Sequence, residues 1–323
     1  MAHAIRISEF GGTDKLRWEE VIVGEPGPGE VRVKSTAIGL NFIDTYHRTG
    51  LYPNQLPLTL GMEGAGIVEK VGPKVKDFKV GDRVAWANPI GAYADVLLRP
   101  AARLVKIPAG VDDKIAASIM LKGMTAWYLL KRTFKVKKGD TILVHAAAGG
   151  VGQILCQWAK ALGATVIGTV GSDAKAAIAK KCGCKHVIVT SRENLVARVK
   201  EITKGKGVPV VYDGVGKDTF EASLDCLSPR GYMVSFGNAS GPVTQFNPGV
   251  LAAKGSLFLT RPTLFNYTAT REDLVAAARD LFAVIKSKKV KISINQTYPL
   301  RDAAQAQADL ESRKTTGSTV LIP

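Results

Sequence analysis

Thr141-Ile142-Leu143-Val144-His145-Ala146-Ala147-Ala148-Gly149-Gly150-Val151-Gly152 is the stretch from which the fold can be read. Its apolar opening predicts a buried parallel strand over Thr141–Ala146. The glycines turn the chain tightly and let its backbone approach a ligand. From Gln153 to Gly163, Ile154, Leu155, Trp158, Ala159 and Leu162 recur at helical spacing, and Gly163 suits the helix end. Strand, glycine turn and helix N-terminus together form a pyrophosphate site, because unpaired backbone N–H groups and the helix dipole face one anion. The match to G-x-G-x-x-G is Ala147-x-Gly149-x-x-Gly152, with alanine in the first place.

The chain around this turn falls into two patterns. Before it lie short strands divided by turns: His3–Ile7, Val31–Ala37, Val80–Trp86 and Ala92–Val96, with a short capped helix within Gly39–Gly50. This reads as a small β-rich domain. After it, strand candidates at Thr165–Val170, His186–Val189, Val208–Tyr212, Gly231–Phe236 and Ser256–Thr260 alternate with helical segments such as Glu193–Thr203. That alternation predicts an α/β doubly wound parallel sheet. A tail follows, with a helix over Arg271–Lys286 and strands at Ile292–Tyr298 and Ser318–Ile322.

The 323 residues suffice for two domains, and the 46% hydrophobic content is that of a folded globular chain. The most apolar window overlaps the glycine turn, and its glycines, His145 and Gln153 argue against a membrane span. The N-terminus lacks the apolar core of a signal peptide. Cysteines 156, 182, 184 and 226 form no disulfide framework, so a cytoplasmic location with no membrane partner is expected. Net charge is +16, from 44 Lys and Arg against 28 Asp and Glu, which favours anionic partners. The basic residues read as dispersed, with short clusters at Lys135-Val136-Lys137-Lys138 and Lys286–Lys291, and a solvated lysine surface accounts for them.

Several motifs carry a family resemblance: Asn41-Phe42-Ile43-Asp44-Thr45-Tyr46, Gly61-Met62-Glu63-Gly64-Ala65-Gly66, His145 through Gly152, Val234-Ser235-Phe236-Gly237-Asn238, Leu259-Thr260-Arg261-Pro262 and Glu311-Ser312-Arg313. Across essentially the whole chain the sequence resembles the zinc-free NADPH:quinone oxidoreductases, the zeta-crystallin group of the medium-chain dehydrogenase/reductase superfamily. The resemblance implies a GroES-like catalytic domain (residues 1–122 and 264–323), a Rossmann domain (residues 123–263), an active-site cleft between them and a homodimer formed through the dinucleotide domains.

The choice of nicotinamide cofactor is a question of charge. A site for NAD places Asp or Glu about 20 residues beyond the turn, on the ribose 2′-hydroxyl. Here the second strand ends Val170-Gly171 with no carboxylate, Ser172 follows, and Lys175 lies one helical turn into what comes next, which favours the 2′-phosphate of NADPH; Asp173 is the residue against it. By resemblance, Lys175 and Arg313 hold that phosphate, and Thr190 stands where a tyrosine commonly joins them. The expected cofactor groove also takes in Thr125, Gly149, Gly150, Val151, Gly152, Phe236, Gly237, Asn238, Leu259, Thr260 and Arg261.

Metal chemistry is not expected. Zinc-dependent members of the superfamily bind the ion through a Cys and the His of a Gly-His-Glu motif, and these positions hold Asn41 and Met62 here. Amide and thioether are poor zinc partners. A quinone accepts hydride without Lewis-acid help, so the protein has to position it and exclude water. Asn41 and Tyr46 are the candidates for orienting the acceptor, while Asp44 and His47 read as capping and surface residues. Two alternatives stay open beside quinone reduction: an NADPH-dependent enone or enoyl reductase on the same scaffold, and a non-catalytic NADPH- and RNA-binding protein.

Overall fold

In the computed structural model, which describes residues 1–323, alternating apolar and polar residues build the first third as strands. These are β1 (Ala2–Ile7), β2 (Arg17–Val21), β3 (Glu30–Gly39), β4 (Leu58–Thr59), β5 (Glu63–Val71), β6 (Arg83–Trp86), β7 (Val96–Pro100) and β8 (Val105–Lys106). Helix α1 (Phe42–Thr49) follows β3, and α2 (Asp113–Tyr128) follows β8. Next come β9 (Thr141–Val144), α3 (Gly150–Ala161), β10 (Thr165–Val170), α4 (Asp173–Lys181), β11 (His186–Val189), α5 (Leu195–Ile202), β12 (Val208–Asp213), α6 (Phe220–Asp225) and β13 (Leu227–Ser235). Short helices α7 (Gly249–Ala253) and α8 (Leu264–Tyr267) flank β14 (Phe258–Thr260), and the tail adds α9 (Arg271–Lys286), β15 (Ile294–Pro299), α10 (Ala303–Glu311) and β16 (Ser318–Ile322).

The chain divides into two units, residues 1–124, 268–282 and 292–323, and residues 125–267 with 283–291. The first holds a three-stranded sheet in the order β2-β1-β4 and a seven-stranded sheet, β15-β16-β3-β5-β6-β8 with β7 on β3. Its core gathers Ile5, Val33, Ile38, Trp86, Leu104 and Leu321. In the second, six strands run in the order β11-β10-β9-β12-β13-β14, all paired in parallel, around Leu143, Ile167, Ile188, Val211 and Met233. That is the doubly wound sheet the alternation predicts.

Several boundaries differ from the sequence reading, each for a local reason. β9 ends at Val144 rather than Ala146, because Ala146 takes a left-handed φ of 50° and turns the chain. α3 starts at Gly150, three residues earlier than the apolar spacing suggests, since glycines are tolerated in a first turn. Ala92–Asp95 is not strand; the pairing strand is Val96–Pro100, whose residues meet Glu30–Lys34 of β3. The Gly61–Gly66 run lies partly in β5, a strand its glycines conceal. They serve packing: a Cβ on Gly64 would sit 2.6 Å from the Trp86 ring, and one on Gly66 would collide with the Lys34 carbonyl oxygen.

Gly66→Ala should therefore cost about 1–3 kcal/mol by overpacking. Urea unfolding would read it as a lower midpoint, and an unchanged midpoint would show that β3 and β5 can move apart at this pair.

Candidate nucleotide and acceptor sites

In the parallel unit the glycine fingerprint has a steric explanation. A Cβ on Gly152 would overlap the Ala146 carbonyl oxygen and lie 2.9 Å from Ala147 Cα, so only glycine lets α3 approach the strand end. Gly149 N–H donates to Ala146 O at 2.8 Å and closes the turn. Ala147, in the first place of the fingerprint, is fully buried, and its N–H donates to Thr169 O at 3.0 Å. α3 begins with no side-chain cap at Gly149. An uncapped first turn of a twelve-residue helix is an anion site by construction.

Beneath the turn runs a buried polar network. His145 Nδ1 lies 2.9 Å from Thr169 Oγ1, and its Nε2 lies 2.9 Å from Ser223 Oγ. Burial pushes the imidazole pKa down, against the pull of the Asp213 charge. Asp213 Oδ1 accepts from the N–H groups of Val215 and Gly216, and Oδ2 from Thr219 Oγ1. β9, β10 and the segment after β12 are thus tied together where they leave the sheet.

The predicted groove residues of this unit gather at the strand exits. Gly171 follows β10 with open space where its side chain would be, and Ser172 caps α4, accepting from Lys175 N at 3.4 Å. Asp173 is largely exposed and pairs with Arg192 at 2.8 Å. Thr190 spends its hydroxyl on Val170 O at 3.2 Å. At the exit of β13, Phe236 N donates to Asp213 O at 2.7 Å, and a Cβ on Gly237 would lie 2.9 Å from Gly214 Cα, so two glycine backbones cross there. Arg261 Nη1 reaches Ser235 O at 3.0 Å, and Thr260 pairs with Val234. Thr125 is buried in α2. These residues fit a dinucleotide: a glycine cradle, an uncapped helix start and a lysine beyond the second strand. Arg313 belongs to the other unit, exposed in a left-handed conformation just past α10.

In the β-rich unit, Asn41 caps α1 and Tyr46 lies on it. Tyr46 is buried, with its ring edge-on to Tyr52 at 5.3 Å. Asn41 is also buried, and its amide nitrogen donates to Glu63 Oε1 at 2.9 Å and to Gly39 O at 3.3 Å. Both partners are acceptors, so the nitrogen must face them and its N–H groups are committed. In this structure Asn41 holds the helix start through these two bonds. The same Glu63 oxygen takes Lys122 Nζ at 2.7 Å, and Oε2 takes Leu121 N at 2.6 Å. Glu63 is fully buried and Lys122 nearly so.

Asp44 is the capping residue expected, with a burial that was not. It caps, accepting from Asn41 N at 2.8 Å, but it is fully buried and also accepts from Tyr93 OH at 2.8 Å. Burial raises its pKa to about 7, outweighing those two hydrogen bonds. His47 is likewise half-buried rather than a surface residue, with Nδ1 at 2.7 Å from Asn54 Nδ2, and burial lowers its pKa. Sequence reasoning gave no role to Glu63, Lys122 or Tyr93. They lie 59 and 49 residues from their partners, where no local pattern reports them.

With this geometry in hand, the comparisons with known proteins are specific. Residues 27–109 match the family model described as alcohol dehydrogenase GroES-like domain, and residues 150–294 match that described as zinc-binding dehydrogenase. The chain is 55% identical to a quinone oxidoreductase of Pseudomonas aeruginosa, covering all of both chains. It is 49% identical to a 2-haloacrylate reductase of Burkholderia sp, covering all of this chain and 99% of that one. The solved structure of Escherichia coli quinone oxidoreductase complexed with NADPH superposes with a TM-score of 0.98 at 51% identity, over 99% of this chain and 100% of that one.

Asp44 makes stability depend on pH. Its pKa rises on folding, from the ordinary 3.8 to about 7. The folded state therefore holds the proton that the unfolded state releases, and stability falls as pH climbs from about 4 to about 7. The cost at the alkaline end is at most about 4 kcal/mol. Asp44→Asn keeps an acceptor without the charge, so its advantage over the parent should grow between pH 5 and pH 8 in urea titrations. Parallel stability curves would rule the assignment out.

Proposed function

The chain belongs to the quinone oxidoreductases of the medium-chain dehydrogenase/reductase superfamily, and from that premise we propose that it reduces quinones with NADPH by direct hydride transfer, without a metal. The observation that carries the reading is end-to-end likeness to quinone oxidoreductases, one of them solved with NADPH, joined to a complete glycine cradle. NADPH, when bound, supplies the hydride and presents a 2′-phosphate.

The chain's own residues have three tasks. Gly149 through Gly152 offer backbone N–H groups to the pyrophosphate, and Lys175 and Arg313 answer the 2′-phosphate with charge. Asp173, turned to Arg192, does not repel it. Tyr46 orients the acceptor through its ring and hydroxyl, while Asn41, anchored on Glu63, fixes the helix that carries it. A reduced quinone is a stable anion that solvent can protonate, so no side chain is required as an acid.

Metal independence follows from the same set. At the positions where zinc-dependent relatives place Cys and His stand Asn41 and Met62. The neighbouring Glu63 carboxylate is already paired with the Lys122 ammonium, which leaves no negative charge to attract a cation. The homodimer belongs to this reading too: β14 is a three-residue edge strand whose Phe258 is half exposed, a strand edge that pairing would cover. A second reading, reduction of an activated carbon–carbon double bond, is favoured by the likeness to the 2-haloacrylate reductase. An NADPH-oxidation screen across quinones, 2-haloacrylates, enones and alcohols tests the two. Quinones turn over fastest if the first reading holds, and preference for the haloacrylate replaces it with the second.

A charge-assisted hydrogen bond is worth roughly 1.5–3 kcal/mol, so Lys175→Ala and Arg313→Ala should each weaken NADPH binding by about tenfold or more while barely affecting NADH. Equal losses for both cofactors would show that neither residue reads the phosphate.

Tyr46→Phe should retain much of the activity, and Tyr46→Ala should mainly raise KM for the quinone. Removing an obligatory proton donor would instead cost roughly 10²–10⁴-fold. Single-turnover kinetics with 4-deuterated NADPH, with and without chelator, would decide. A dead Tyr46→Phe that still binds NADPH makes the hydroxyl a proton donor, and chelator sensitivity refutes metal independence.

A further inference from the structure

The net charge of +16 is not spread over the molecule. The parallel-sheet unit holds 23 Lys and Arg against 8 Asp and Glu, a net +15, while the β-rich unit holds 21 against 20. The dispersed surface expected from sequence is therefore a segregated one. The acidic residues of the parallel unit are few, and most are occupied. Asp173 and Glu193 pair with Arg192 and Arg198, Glu201 with Arg198, Asp225 with Lys254, and Asp213 is buried in the His145 network.

Topology gathers the excess at one edge. All six strands are parallel, so the segments entering them share one end of the sheet, opposite the glycine turn. Lys137 and Lys138 precede β9, Lys160 ends α3, Lys181 and Lys185 lie before β11, and Lys204 and Lys206 before β12. These loops touch. Gly139 N donates to Gly163 O at 3.0 Å, a Cβ on Gly163 would meet Lys138, and one on Gly183 would meet Lys160. Lys288, Lys289 and Lys291 join along α3, where Gln157 bonds Lys291 O and N at 3.0 and 2.9 Å. Every one of these lysines is exposed and none has a carboxylate within 4.0 Å.

The chemistry of the face selects its partner. Lysine dominates it, with Asp140 taken by the Lys137 N–H and Arg230 set apart at the entry of β13. Four of the unit's five arginines are engaged elsewhere: Arg132 over the Trp127 ring, Arg192 and Arg198 in ion pairs, Arg261 on a backbone carbonyl. The half-exposed aromatic side chain at this end, Phe258, enters the outermost strand β14, two strands beyond β12. Reading nucleic acid draws on arginine forks and aromatic stacking, whereas a diffuse anionic plane needs only hydrated point charges. We propose that the strand-entry face of the parallel unit docks on the surface of an anionic lipid bilayer, peripherally and without insertion. This adds a surface contact to a chain in which no helix is long and apolar enough to cross a membrane. It stands independently of the acceptor reading, and it leaves the glycine-turn edge open for nucleotide.

The test is co-sedimentation of the full chain with vesicles. Binding is expected to equal parts phosphatidylcholine and phosphatidylglycerol, none to phosphatidylcholine alone, with loss near 1 M salt, where the screening length is about 3 Å. Each surface lysine contributes roughly fivefold at an acidic membrane. Combining Lys137→Glu, Lys138→Glu, Lys181→Glu and Lys185→Glu should therefore weaken binding at least about a hundredfold, with soluble quinone turnover and Tm unchanged. Lys160→Gln with Lys204→Gln and Lys206→Gln is a milder second variant that should show a graded loss should the first not fold. Undiminished vesicle binding by either folded variant overturns the proposal. So does tighter binding to single-stranded RNA than to vesicles at equal phosphate concentration, which would make the face a nucleic-acid surface.

Discussion

The carboxylate of Glu63 is fully buried, and both of its oxygens are spoken for. A charge removed from water costs several kcal/mol unless it is paired and hydrogen-bonded, and breaking such a pair costs about as much again. Glu63 meets that demand with Lys122, Asn41 and the Leu121 N–H, and in doing so joins the first residue of β5 to the start of α1 and the middle of α2. Neither helix can shift without stranding a charge. Gly39 has no side chain for the same reason: a Cβ there would overlap Glu63 and the Ala117 carbonyl oxygen.

A second layer hangs from the first. Asn41 presents its backbone N–H to Asp44, and Asp44 receives the Tyr93 hydroxyl, so the cap of α1 is fastened from two sides. Further along the helix, the buried Arg48 grips Glu311 through two nitrogens and Gln307 through one, tying α1 to α10. The segment carrying Tyr46 is held at its beginning, at its end and from behind. Rigidity of this kind is what the role proposed for Tyr46, holding an acceptor at a set angle, requires.

How much of this was legible follows from the range of each interaction. The parallel sheet was legible because its signals are local: apolar β-branched runs set β10 and β11 to the residue, and the glycine fingerprint marked the turn. Boundaries slipped where the backbone, not the side chains, decides, as at Ala146 with its positive φ and in β5, whose glycines carry no strand signal yet pack under Trp86. At the start of α1, Asn41 was singled out but its partner was not, since nothing in Asn41-Phe42-Ile43-Asp44 says that its amide faces a glutamate 22 residues away. Composition gave the size of the charge but not its address, because Lys138, Lys160 and Lys181 become neighbours only when a parallel sheet brings their loops to one end.

That last point bears on what the parallel sheet does for this protein. In such a sheet the two ends are chemically different by construction: strand exits face helix N-termini, strand entries face helix C-termini. The exits carry glycines and backbone N–H groups, a site for one compact anion at close range. The entries carry helix C-termini, where cations are favoured, and lysines extend the positive potential away from the carbonyls they complement. Lys160 in the last turn of α3, Lys180 and Lys181 at the end of α4 and Lys200 at the end of α5 follow this rule. A lysine there stabilises its own helix by a few tenths of a kcal/mol to about 1 kcal/mol whatever else it meets. Helix stability alone would account for one such residue per helix. It does not account for Lys137, Lys138, Lys185 and Lys206, which lie in the loops beyond the last turns. That surplus separates a surface shaped by folding from one with a partner.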